Sequence, residues 1–175
     1  MVDLIKQDFT TNKILYSQIA NKLTSELGGT YPINHVGSTA IPNMYGKNII
    51  DILVGAKDET EFNYLSQQLE NIGYFPSTKS KTTVYQFFAS TEAETGSGDT
   101  HIHLSIIGSN RYEEFLILRD YLLANPEEAE TYSNHKQEIL ALENIDRQQY
   151  KNIKSQFVSS LIDRAKNNLT MEYND

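Results

Sequence analysis

The chain has 175 residues, a formal charge of −8 from 15 Lys and Arg against 23 Asp and Glu, and no cysteine. That length suits one domain over residues 1–175 with a substantial core, and the missing cysteines exclude disulfides, thiolate metal sites and a cysteine nucleophile. The acidic balance argues against general nucleic-acid binding, whose footprint is basic, and with no signal peptide and no apolar run near the roughly 18 residues that span a bilayer, the expected location is cytoplasmic with no membrane partner.

Residues 11–27 predict a helix that Gly28 and Gly29 stop. Residues 33–37 and 49–55 predict strands, and Asp58 is the expected N-cap of a helix that runs through Leu65 and Leu69 and ends near Gly73. Two further β-rich segments, 82–89 and 101–107, flank the small polar stretch 90–99, which is expected to be a mobile loop and a lid. From Asn110 onward the pattern is helical, broken at Asn125-Pro126 and again near residues 144–146. Strands early and helices late predict an α+β fold: a small mixed β-sheet backed by helices, with a helical C-terminal half.

The chemistry concentrates in three places. Gly37-Ser38 follows a strand, and such a turn offers backbone donors and a hydroxyl to an anion. Asp51 is the one carboxylate in the apolar strand 49–55, placed to ligate the divalent cation that accompanies phosphate chemistry, with Lys47 just before it. His101, His103 and Ser105 alternate with Ile102, Leu104 and Ile106, so the two imidazoles share one face and lie close enough to share a metal or a phosphate. The other reading of that face is the solvent-exposed side of an edge strand.

Each C-terminal helix also carries a cation inside its apolar arc: Arg119 in the first, Lys136 in the second, and Lys154, with Arg147 on the same side, in the third. A buried cation needs a partner. Either these groups make structural ion pairs, Arg119 with Asp51 for example, or they converge on a multiply charged anion.

His35-Val36-Gly37-Ser38-Thr39-Ala40-Ile41-Pro42, followed by Lys47-Asn48-Ile49-Ile50-Asp51-Ile52, resembles the signature of the GrpB family. The likeness continues through Gly73-Tyr74, His101-Ile102-His103, Leu118-Arg119-Asp120-Tyr121-Leu122 and Asn125-Pro126-Glu127, then Tyr132 with Lys136, Arg147, Tyr150, Lys154 and Phe157. Asn48 stands where the family usually has proline, and Asn43 where it usually has glycine after Pro42. The resemblance implies a nucleotidyltransferase-type fold, in which a Gly-Ser turn holds nucleotide phosphates and three acids on two strands hold metal. Here Gly37-Ser38 matches the turn and Asp51 the first acid; the second acid's position is Leu53, and the strand expected to bring the third carries His101 and His103.

The implied function is binding of a phosphorylated ligand, a nucleotide or coenzyme. His35, Gly37, Ser38, Lys47, Arg119, Lys136, Arg147 and Lys154 would contact it. Asp51, His101 and His103 would hold a divalent metal (Mg²⁺ or Mn²⁺, with Zn²⁺ suited to the imidazoles) or act as acid and base in nucleotidyl or phosphoryl transfer. A module that binds without turnover is the alternative, and a purely interacting domain the third reading. The family's sporadic fusion to dephospho-CoA kinase implies a link to coenzyme A metabolism.

Overall fold

The computed structural model describes residues 4–92 and 98–172. The first helix, α1 (Phe9–Leu27), starts two residues before the expected position because Asp8 caps it, accepting from the Thr11 N–H and hydroxyl at 3.1 and 2.8 Å. It ends at Gly28, whose φ of 69° is the left-handed conformation that closes a helix cheaply only with glycine. Asp58 caps α2 (Glu59–Asn71) as predicted.

Numbering the strands in chain order gives β1 (Ile5–Lys6), β2 (Ile33–Val36), β3 (Tyr45–Gly46), β4 (Ile50–Ala56), β5 (Phe75–Pro76), β6 (Tyr85–Ala89) and β7 (Thr100–Ile106). β1 and β3 form an antiparallel ribbon; the other strands form one sheet in the order β2-β4-β7-β6-β5. Only β4 and β7 run parallel, so the sheet is mixed as expected. β1, β3 and β5 escape sequence reading because two-residue strands carry no period. Residues 90–92 and 98–99 join β6 to β7, while the middle of the expected lid lies outside the described residues.

The pleat of β4 sorts the molecule into two halves. Ile50, Ile52, Val54 and Ala56 join Ile102 and Leu104 of β7 under α1 and α2, with Leu23, Leu27, Phe62, Leu65 and Leu69, as the main core. The alternate residues face the three C-terminal helices α3 (Asn110–Ala124), α4 (Pro126–Ala141) and α5 (Arg147–Glu172). Leu53 packs there with Val36, Tyr112, Phe115 and Leu116. A third cluster of Ile41, Met44, Leu122, Ala129, Tyr132 and Leu161 ties α3, α4 and α5 to the segment after β2. No helix of the described residues is long and apolar enough to cross a membrane.

Candidate functional site

Between the sheet and α3–α5 lies a cleft of about 460 Å³. β4 and β7 supply its floor. Their parallel register sets Asp51 beside His101 and Leu53 beside His103, so the pleat brings all three polar groups to one face. His101 Nδ1 donates to Asp51 Oδ1 at 3.2 Å and His103 Nε2 donates to the same oxygen at 3.4 Å. A carboxylate only accepts, so both nitrogens carry the proton. His103 Nδ1 is therefore the acceptor for the Tyr85 hydroxyl at 2.8 Å. Burial pulls the His103 imidazole below its ordinary value despite the neighbouring carboxylate, and burial raises the Tyr85 phenol, which fits a chain of Tyr85 to His103 to Asp51. Burial alone would raise the Asp51 carboxyl too; the two imidazole hydrogen bonds outweigh it and hold the group well below the usual carboxylate range.

Oδ2 of Asp51 lies against Gly37. With φ at 72° that residue is in glycine territory, and a Cβ there would overlap the carboxylate oxygen. The chain then makes one 3-10 turn, Ser38–Ala40. Ser38 Oγ accepts from Lys136 Nζ at 2.9 Å, and the Tyr45 carbonyl accepts a second bond from the same amine. That carbonyl is fixed because Tyr45 N–H donates to Ser133 Oγ on α4 at 2.7 Å, while the buried Gln7 side chain donates to Gly46 O at 2.8 Å. Lys136 is 2% exposed and its ammonium lies 4.8 Å from the Tyr132 ring centroid. Burial, with Lys154 nearby, pulls its amine down to about 7. Lys154 is likewise lowered by burial, with Lys151 and Arg111 adding to the effect against the attraction of Asp51.

The structure gathers Gly37, Ser38, Lys47, Asp51, His101, His103, Arg119, Lys136 and Lys154 around this one cleft. His35 is set apart. It pairs with Ile52 across β2 and β4, hence on the face away from Asp51; it stacks on Tyr16 at 4.6 Å, contacts Thr39 Oγ1 at 3.0 Å, and is pulled down to about 4 by burial. The structure thus places His35 outside this cleft, packed on Tyr16. Arg119 reaches the cleft but does not pair with Asp51: its Nε donates to Asp120 at 2.7 Å and its NH1 to the His35 carbonyl at 3.4 Å. Arg147 opens α5, and its side chain lies outside the described residues.

Arg111 and Lys151 also line the cleft, with Phe115 and Tyr150, and no sequence pattern above singles out these two cations. Arg111 lies in the first turn of α3, one turn before Phe115. Its spacing from Phe115, four residues along one helical face, was the available signal.

The donor set does not fit the three-acid metal site that the resemblance implied. Leu53 is fully buried where the second acid would stand, His101 Nδ1 and His103 Nε2 are spent on Asp51, and His103 Nδ1 on Tyr85. His101 Nε2 is buried without a hydrogen-bond partner among the described residues. No group of three or more His, Cys, Asp or Glu among those residues is arranged to hold a metal ion.

A mixed sheet, a Gly-Ser turn against a strand carboxylate and a helical C-terminal half define a protein of nucleotidyltransferase-like fold. The likeness extends to a Cid1 poly(U) polymerase solved with MgGTP, at TM-score 0.50 and 12% identity, over 77% of this chain and 45% of that one. Within that class the chain belongs to the GrpB family, whose sequence model, described as GrpB protein, matches residues 6–164. The crystal structure of the conserved protein GrpB from Enterococcus faecalis superposes with TM-score 0.78 at 22% identity, covering 93% of this chain and 96% of that one. Among sequence relatives, the glutamate-rich protein GrpB of Alkalihalophilus pseudofirmus is 33% identical over 134 residues, 74% of this chain and 76% of the relative. A UPF0157 protein of Pseudomonas aeruginosa is 32% identical over 133 residues, 76% of this chain. The match spans 54% of that relative's length, and 38% of a UPF0157 protein of Bacillus subtilis.

Proposed function

We propose that this protein binds a phosphorylated small molecule, a nucleotide or a coenzyme, in the cleft between the sheet and α3–α5. One observation carries the reading. Among the described residues, Lys47, Arg111, Arg119, Lys136, Lys151 and Lys154 line the cleft with only Asp51 and Glu114 as acids, in a chain whose formal charge is −8. Such local reversal of sign concentrates an anionic ligand where low-dielectric walls strengthen the field. Lys136 is held by two neutral oxygens, and Lys154 has no carboxylate within ion-pair distance among the described residues. Both amines therefore gain charge compensation when a phosphate arrives.

Nucleotidyl or phosphoryl transfer with a divalent metal is the second reading. The placement of Asp51 Oδ2 against Gly37, beside Ser38, favours it. Leu53 and the bonded imidazoles favour binding without turnover. In that case the cation of the usual site is replaced by the lysines, and coenzyme A or its precursors are ligands as reasonable as nucleotides.

Thermal melting of the purified chain with nucleotides, coenzyme A and its precursors separates these readings, run in EDTA and with Mg²⁺, Mn²⁺ or Zn²⁺. A ligand at a hundredfold excess over its Kd adds about 2.7 kcal/mol of stability. The expected outcome is a shift in EDTA as large as in Mg²⁺, with no product formed. A shift that requires metal, together with a product, establishes the transferase. No shift with any ligand overturns the binding function.

A further inference from the structure

We propose that Arg111, seated on Phe115 and Tyr85, is a stacking platform for a nucleobase, so that the ligand of the cleft carries a planar heteroaromatic ring as well as phosphates. This rests on the phosphate-binding reading above and goes further by naming the ligand class.

Arg111 lies in the first turn of α3, where the helix dipole favours acids and disfavours a cation. Its guanidinium carbon is 4.6 Å from the Phe115 ring centroid and 5.1 Å from that of Tyr85, and these two rings are themselves stacked at 6.4 Å. Glu114 takes one edge of the group, with NH1 to Oε2 at 3.4 Å, and the Arg111 side chain remains 48% exposed in the cleft wall. The guanidinium is thus held between two ring contacts and a carboxylate at one nitrogen, while about half of the side chain stays open.

That arrangement suits a base better than another phosphate. A phosphate is bound best by the free fork of a guanidinium, whereas this fork already carries Glu114. A planar base instead meets an ordered, weakly hydrated cation whose face stacks on π-systems. Position agrees. Tyr85, beneath the guanidinium, donates to His103, and His103 donates to Asp51, so the platform is joined to the cleft floor through one phenol and one imidazole. A ligand with its phosphates at Ser38, Lys136 and Lys154 would cross that floor to bring its base to Arg111.

The test compares ATP, GTP, CTP and UTP with inorganic tripolyphosphate, which has the same phosphate chain and no base, by calorimetric titration of the whole chain in EDTA. The tightest nucleotide should bind at least 10-fold better than tripolyphosphate. Arg111→Lys keeps the charge and removes the plane; the preference for nucleotide over tripolyphosphate, read as the ratio of their two affinities, should fall by roughly 10-fold. Phe115→Leu should act in the same direction, and Arg111→Lys, at a half-exposed position, decides the matter if Phe115→Leu impairs folding. Equal affinity of the wild type for nucleotide and tripolyphosphate overturns the platform, as does an equal loss of both ligands in Arg111→Lys. Both results leave the phosphate-binding reading intact. If neither ligand binds the wild type, the platform for a nucleotide falls, and the phosphate-binding reading falls with it where coenzyme A and its precursors also give no shift in the melting assay.

Discussion

Lys136 is an amine buried among neutral groups, a hydroxyl, a carbonyl and a phenol ring, and this sets how the cleft responds to pH. Its folded value near 7 lies below the ordinary 10.5 of an exposed lysine. Between those values the unfolded chain binds the extra proton, so this group's contribution to stability rises with pH through that window. Below pH 7 the folded state carries the full penalty of a buried ammonium. Replacing the amine by an apolar chain removes that penalty, so the stability of Lys136→Met relative to wild type should fall by about 2–3 kcal/mol between pH 7 and pH 9 in urea denaturation. A bound phosphate reverses the preference by stabilising the ammonium. Ligand affinity should therefore decline as pH rises above 7, which the same melting assay detects.

Among the elements, α3 has the most influence on the site. Ser109 caps it, with Oγ accepting from Tyr112 N–H at 3.3 Å, and the helix then lays Tyr112, Phe115 and Leu116 over Leu53. Leu53 is consequently a core residue rather than a floor residue of the cleft, although the pleat points it the same way as Asp51. Restoring an acid by Leu53→Asp should not create a metal site. It would bury an unpaired carboxylate under α3, with an expected loss of about 4 kcal/mol in denaturant unfolding and no gain in Mg²⁺-dependent stability. A variant that folds normally and is stabilised by Mg²⁺ would show that α3 yields at this position. The strands behave differently: β4 and β7 fix Asp51, His101 and His103 by register alone, and no helix needs to move to bring them together.

The whole molecule combines an acidic exterior with a basic interior cleft. Among the described residues six cations and two acids line the cleft, while the complete chain has eight more acidic than basic side chains. Small anions entering the cleft feel the local field, whereas a long polyanion must also lie along the negative exterior. Binding of the best nucleotide should weaken by roughly an order of magnitude as salt rises from 0.05 to 0.5 M. An oligouridylate should bind no more tightly than UTP, measured by competition at fixed salt. Preference for the oligomer would point instead to an extended RNA track leading away from the cleft.

Much of this was legible in one dimension. The caps at Asp58 and Gly28, the period-two alternation of residues 101–106 and the Asn125-Pro126 break are local signals, each fixed by backbone chemistry within a few residues, and they determined the α+β architecture. Motif spacing likewise marked Gly37, Ser38, Asp51 and the histidine pair. The partners were decided only in three dimensions. Whether His101 and His103 turn to a metal or to Asp51, whether Lys136 meets a carboxylate or a carbonyl, and whether His35 faces the cleft or Tyr16 depend on strand register and helix placement. Those contacts join residues far apart in sequence (50 positions from Asp51 to His101, 98 from Ser38 to Lys136). Periodicity can place a side chain on a face, but only packing selects what it meets there.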